Sequence, residues 1–276
     1  MSENSLRITV TGTVATVTLT RPQVHNALDE LLMGNLAQAF QKLAVAEAVR
    51  VIVLEAEGKS FCAGADVNWM RRAADLNRED NQRDAMLLAV MIDSIERCPK
   101  PVIAVVQGAA LGGGVGLVAA CDMVIAAEEA SFALTEVRLG LEPSVIGPVC
   151  IAAMGARACR RYFLTGERFD AAEAWRLGLV HELASDDADL DEKVGDIVDA
   201  MLACGPVAQR EAKELIRAVC ARPVTSEVIE DTAERIARIR SSPEGREGVG
   251  AFLEKRRPAW IAPEPETMPE PEPPPV

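Results

Sequence analysis

Val102-Ile103-Ala104-Val105-Val106-Gln107-Gly108-Ala109-Ala110-Leu111-Gly112-Gly113-Gly114-Val115-Gly116-Leu117-Val118-Ala119-Ala120 begins as an unbroken β-branched and apolar run, breaks at a glycine-rich turn and continues as a small, apolar segment that reads as helix. Such a run suits a strand buried on both faces of a parallel sheet. Val51-Ile52-Val53-Leu54, ahead of Gly58, reads the same way. Between them the pattern from about Gln82 to Cys98, stopped before Pro99 and Pro101, predicts a helix. Strand, crossover helix and strand in this order build a right-handed βαβ unit.

Outward from this unit, residues 6–20 are rich in Thr and Val around Gly12 and predict a hairpin ended by Arg21-Pro22. Apolar residues at 31, 32, 36, 39, 40 and 43 predict a helix from Asp29 to about Val45, capped by Asn26 or Asp29. After about residue 145 the strand signal disappears. Helices are expected near 146–163, 170–177, 189–203, 206–220, 225–240 and 243–256, punctuated by Gly155, Gly178 and Gly205. An α/β core followed by a helical region suggests a second module that either covers the core or joins subunits. Residues 263–276 hold seven prolines and four glutamates, the composition of a disordered tail.

Composition narrows the function. The 276 residues are 49% hydrophobic and carry a net charge of −13, which disfavours nucleic acid and anionic membranes as partners. Seven cysteines, an odd number without a C-x-x-C pair, read as buried reduced thiols. The N-terminus lacks a signal-peptide pattern, and no apolar run approaches the ~18 residues of a membrane span, so a cytoplasmic protein is expected. His25 and His181, the two histidines, make no multi-histidine metal site, and no G-x-S-x-G elbow is present.

Three segments carry chemistry. Ser60-Phe61-Cys62-Ala63-Gly64-Ala65-Asp66-Val67 is built of small residues that either expose backbone amides to a flat ligand or simply make a tight turn. The glycine run at 112–116 opens a helix, whose first N–H groups are free to stabilise charge on a carbonyl oxygen; the alternative is close helix packing. Gly114-Val115-Gly116-Leu117-Val118-Ala119 also matches a dinucleotide fingerprint, but the seven residues from Gln107 to Gly113 separate it from its strand. Glu136, within Leu134-Thr135-Glu136-Val137-Arg138-Leu139, is either an acid/base group in apolar surroundings or a glutamate at the surface or paired with Arg138.

Taken together, Phe61-Cys62-Ala63-Gly64-Ala65-Asp66, Ala110-Leu111-Gly112-Gly113-Gly114, Ala120-Cys121-Asp122 and Thr135-Glu136-Val137-Arg138-Leu139-Gly140 resemble the enoyl-CoA hydratase/isomerase, or crotonase, superfamily over residues 6–260. The resemblance implies an α/β spiral of ββα units (residues 1–198), a helical C-terminal trimerisation region (199–262) and the tail from 263. It implies a homotrimer or dimer of trimers acting on a coenzyme A thioester, with no tightly bound cofactor and no metal. The amides of Ala65 and Gly113 are then the oxyanion hole and Glu136 the acid/base. CoA contacts are implied at Val24, His25, Ala27, Ala63, Asp66, Val67, Gly112 and Gly116, with Phe252 and Lys255 near the adenine and phosphates.

Gly116 departs from the two-glutamate hydratases, which carry their first acid there. Cys121-Asp122-Met123-Val124-Ile125, Glu136-Val137-Arg138-Leu139-Gly140-Leu141 and Phe252-Leu253-Glu254-Lys255-Arg256-Arg257-Pro258 resemble bacterial hydratases for 3-methylglutaconyl-CoA and isohexenylglutaconyl-CoA, of leucine and acyclic terpene breakdown. Glycine at 116 is expected to leave space for such branched, carboxylated substrates, with Arg138 their carboxylate's partner. The competing expectations are a Δ3,Δ2-enoyl-CoA isomerase using the single glutamate, and a non-catalytic RNA-binding or scaffold protein.

Overall fold

The Thr- and Val-rich start of the chain turns back at Gly12, whose φ of 58° a side chain would disfavour. β1 (Leu6–Thr11) and β2 (Val14–Leu19) pair antiparallel there, from Leu6↔Leu19 to Thr11↔Val14. The computed structural model describes residues 5–261. It forms two compact units that divide between Met201 and Leu202.

After α1 (Glu30–Val45), three turns of the first unit share one plan: a strand for a larger sheet, a three-residue strand for a smaller one, then helix. The first is β3 (Val51–Ala56) and β4 (Ser60–Cys62) with α2 (Val67–Ala73) and α3 (Arg78–Glu96). The second is β5 (Val102–Val106), β6 (Ala109–Leu111) and α4 (Gly113–Ala120). The third is β7 (Met123–Ala127), β8 (Ser131–Ala133), a short 3-10 helix (Glu136–Leu139) and α5 (Gly147–Thr165). β9 (Arg168–Asp170), α6 (Ala171–Arg176), β10 (Glu182–Ala184) and α7 (Asp187–Leu202) follow. The six-stranded sheet runs β1-β2-β3-β5-β7-β10, parallel from β2 onward, and the four-stranded sheet runs β4-β6-β8-β9.

α1 packs on α3 by burying Leu32, Met33, Leu36, Phe40 and Leu43 at helical spacing, facing Met91, Ile92 and Ile95. Each large side chain so buried contributes roughly 1.5–3 kcal/mol. Asp29, not Asn26, caps α1, accepting the Leu32 amide at 2.8 Å.

Two expectations are corrected. Strands do occur after residue 145, because β9 and β10 span three residues each, too few for alternation to register. The cysteines are not all buried: Cys62, Cys98, Cys150 and Cys159 are, Cys121 is half-buried, and Cys204 and Cys220 are exposed beside helix ends.

The second unit contains α8 (Pro206–Val219), α9 (Ser226–Ser241) and α10 (Pro243–Glu254). Glu244 caps α8, its carboxylate accepting the amides of Val207 (2.9 Å) and Ala208 (2.8 Å). The tail expected from 263 lies outside the described residues. Among those described, no helix is long and apolar enough to cross a membrane.

Candidate active site

Two loops meet because Gly64 has no side chain. At φ 83° it sits where a Cβ would stand 2.7 Å from the Leu111 carbonyl oxygen and 3.7 Å from the Gly113 nitrogen. The loop is held on its other side by the stretch from His25 to Leu28. The Ala63 amide donates to His25 O (2.9 Å), Leu28 N–H to Gly64 O (2.7 Å) and Asp66 N–H to Leu28 O (2.8 Å). Since bridge partners alternate along an extended segment, these bonds turn the Ala65 amide away from Leu28. Gly113, the first residue of α4, has one of the N–H groups that a helix leaves unsatisfied. Neither amide donates to another backbone group among the described residues.

Buried polar groups fix this frame. Asn26 is fully buried; its Oδ1 accepts the Arg21 amide, and its Nδ2 donates to the carbonyls of Glu57 and Ser60, each at 2.9 Å. The Arg21 guanidinium donates to Ala27 O at 2.7 Å and pairs with Asp29 at 2.8 Å and Asp66 at 3.4 Å. Sequence reading passed over Asn26 and Arg21 as structural elements of the site. The signal was Arg21-Pro22 followed closely by Asn26, where φ is a left-handed 54°.

Glu136 stands beside the glycine turn. The Gly112 amide donates to Ala133 O at 2.8 Å, tying the turn to β8, and a Cβ on Gly112 would lie 3.1 Å from Glu136 Oε1. Glu136 Oε2 is buried and has no hydrogen-bond partner among the described residues. Burial pushes the carboxyl above the ordinary glutamate value, offset in part by its own backbone amide. Glu136 also lines a cavity of about 600 Å³ with Ala85, Leu88, Glu142, Ser144 and Ile146. Paired amides beside a buried, protonatable carboxyl can stabilise negative charge on a carbonyl oxygen while exchanging a proton with the carbon next to it.

The other expected contacts are distributed unevenly. Val24, His25, Ala27, Ala63 and Ala65 lie along the paired loops, and exposed Val67 starts α2. Asp66 is committed to the fold: buried, paired with Arg21 and capping α2 through the amides of Asn68 and Trp69. Phe252 and Lys255 end α10 in the second unit, Phe252 being 81% exposed. Among the described residues, no group of three or more His, Cys, Asp or Glu could hold a metal ion.

Two readings are overturned. Gly116 leaves no open space: a Cβ there would lie 2.3 Å from Ile146 Cγ2 and 2.8 Å from its Cβ, so the glycine admits Ile146 rather than a ligand. Gly116→Ala is therefore expected to lower stability by about 1–3 kcal/mol in urea unfolding through overpacking, and Ile146→Ala in the same chain to recover part of the loss. An unchanged midpoint for Gly116→Ala would contradict that packing. Arg138 does not pair with Glu136 and does not line the cavity; its Cγ and Nε pack over Gly166, each 3.1 Å from where a Cβ would be.

The fold has counterparts among solved structures. Residues 9–263 match the family model for enoyl-CoA hydratase/isomerase. A solved enoyl-CoA hydratase from Shewanella pealeana ATCC 700345 is 44% identical, superimposes with a TM-score of 0.90, and is matched over 93% of this chain and 96% of its own. Pseudomonas aeruginosa AtuE is 32% identical with a TM-score of 0.90, over 94% of this chain and 100% of its own. A Rhodobacter capsulatus protein named "Probable enoyl-CoA hydratase" is 36% identical over 260 residues, 94% of this chain and 98% of its own. The chain belongs to the enoyl-CoA hydratase/isomerase family, with the mixed α/β crotonase fold and a helical C-terminal region.

Proposed function

We propose that this enzyme adds water reversibly across the double bond of a 2-enoyl-CoA. The observation that carries the reading is the buried, unpartnered Glu136 oxygen beside the Gly112–Gly113 turn. The amides of Ala65 and Gly113 receive the thioester oxygen, and Glu136 moves the proton at Cα. CoA lies along Val24–Ala27, Ala63 and Val67, with Phe252 and Lys255 of a neighbouring copy near its adenine and phosphates. A homotrimer or dimer of trimers is supported by exposed apolar side chains in the second unit, Phe252, Leu253 and Ile216 among them.

The acyl chain we propose is branched and carboxylated, of the 3-methylglutaconyl-CoA or isohexenylglutaconyl-CoA type, on the strength of the Cys121–Ile125 and Glu136–Leu141 resemblance. Because Glu136 and Glu142 line the cavity and, among the described residues, no cation does, the free carboxylate of such a chain points out of it. A single buried carboxyl also suits a Δ3,Δ2-enoyl-CoA isomerase, the second reading. Loss of enoyl-thioester absorbance, with product mass, separates them for 3-methylglutaconyl-CoA, isohexenylglutaconyl-CoA and crotonyl-CoA. Gain of one water, faster with the branched acids, is expected. Preference for crotonyl-CoA overturns the substrate class, and no water uptake with a shifted double bond from 3-enoyl-CoA establishes the isomerase.

A further inference from the structure

Hydration moves two protons: one leaves the attacking water and one arrives at Cα. Glu136 is placed for the second, and the cavity it lines offers few groups for the first. Ala85, Leu88, Gly140, Leu141, Pro143, Val145 and Ile146 bring apolar surface; Glu142 is the other ionisable side chain in the lining. Nearby acids are engaged elsewhere, Asp66 by Arg21 and α2, and Asp84 by the Trp69 indole N–H at 3.0 Å.

The backbone returns Glu142 to the cavity for identifiable reasons. The 3-10 helix that starts at Glu136 ends on Gly140 in the left-handed region (φ 72°), and the Leu141 amide closes back on Glu136 O at 3.0 Å. The Ser144 amide then donates to Glu142 O at 2.8 Å across buried Pro143, whose ring restricts the turn. The Ser144 hydroxyl donates to Glu142 Oε1 at 2.6 Å and fixes the carboxylate's rotamer. Oε2 accepts no hydrogen bond from the described residues and is available to a water in the cavity.

We propose that Glu142 is the second catalytic carboxylate, the base that takes a proton from the attacking water. The role rests on the hydratase reading. As the water oxygen bonds to Cβ, one of its O–H bonds breaks and that proton passes to Glu142 Oε2. The electron pair of the double bond shifts toward the thioester, whose oxygen takes the charge at the Ala65 and Gly113 amides. The Glu136 carboxyl then gives its proton to Cα as the carbonyl re-forms. The ester has gained H and OH, Glu142 carries a proton and Glu136 lacks one; transfer through solvent from exposed Glu142 to Glu136 resets the pair. Two carboxyls in unlike surroundings, one buried without a partner and one solvated and hydrogen-bonded, divide acid and base work naturally.

The test compares two reactions of the purified full chain. Hydration of the best 2-enoyl-CoA is followed by absorbance and product mass; exchange of the Cα protons of butyryl-CoA in D2O, followed by mass, needs Glu136 and the oxyanion amides but no attacking water. Glu142→Gln is expected to lower hydration by roughly 100-fold or more while exchange stays within about threefold, and Glu142→Asp to restore roughly tenfold of the loss. Hydration within about threefold of the parent, or an equal fall in both reactions, overturns the role. Should Glu142→Gln fail to fold, Glu142→Ser, which also lacks a base, is read by the same criteria. A parent chain that adds water to no 2-enoyl-CoA removes the hydratase reading itself; normal hydration without the Glu142 carboxylate removes only this inference.

Discussion

Glu136→Gln is expected to lower turnover of a 2-enoyl-CoA by roughly 10²–10⁴-fold, the usual contribution of a positioned acid/base group, and to abolish Cα exchange with it. The amide is close in size to the carboxyl, so the Gly112 turn and the paired loops keep their shape, and CoA-thioester affinity is expected within about threefold of the parent. Turnover and affinity measured together separate this role from a structural one. Turnover that survives the substitution would remove Glu136 from the chemistry. Stability gives an independent reading. Burial raises the Glu136 pKa above the ordinary value of 4.5, so the folded state favours the protonated form. That contribution is complete below the unfolded value and lost as pH rises through the folded one. Glu136→Gln is therefore expected to raise the melting temperature relative to the parent at pH 8 and to lose this advantage at pH 4. A difference that does not change with pH would show that Oε2 is not desolvated in the folded chain.

The hairpin, the unbroken apolar runs of β3 and β5, and the helices α1, α3 and α4 to α10 were legible because each run or period is long enough to show, whereas β7 and the seven-residue α2 were not read. β4, β6 and β8 were not, since three residues display no alternation, and β6 lies within the glycine-rich stretch read as a turn. The candidate site divides in the same way. Gly64, Gly113 and Glu136 stand in local patterns, whereas the facts that decide chemistry join distant residues. That Ile146 closes over Gly116 depends on packing between α4 and the residue before α5. Whether Asp66 meets substrate or caps a helix depends on Arg21, 45 positions away in sequence. Arg138 was expected to meet the substrate's carboxylate or to pair with Glu136, and it packs over Gly166 instead, a contact between distant parts of the sequence.

Gly64→Ala carries the second large effect, because one methyl group strikes both the conformation and the contact that the proposed oxyanion site requires. With φ at 83°, any L-side chain is strained, and the new Cβ would stand 2.7 Å from the Leu111 carbonyl oxygen. That oxygen belongs to β6, whose partners β4 and β8 hold it in place, so the Ala63–Asp66 loop is the part that yields. Leu28 bridges the same loop from behind through Gly64 O and the Asp66 amide, which limits retreat and lets the Ala65 amide turn instead. Losing one oxyanion donor costs about 10²–10³ in kcat. That loss is expected here for hydration and Cα exchange alike, since both place charge on the thioester oxygen. Global stability is expected to fall by about 1–3 kcal/mol, so activity is measured where urea titration shows the variant folded. Folded Gly64→Ala with kcat near that of the parent would exclude the Ala65 amide from the site, leaving Gly113 and the α4 N-terminus as the donors that bear the charge.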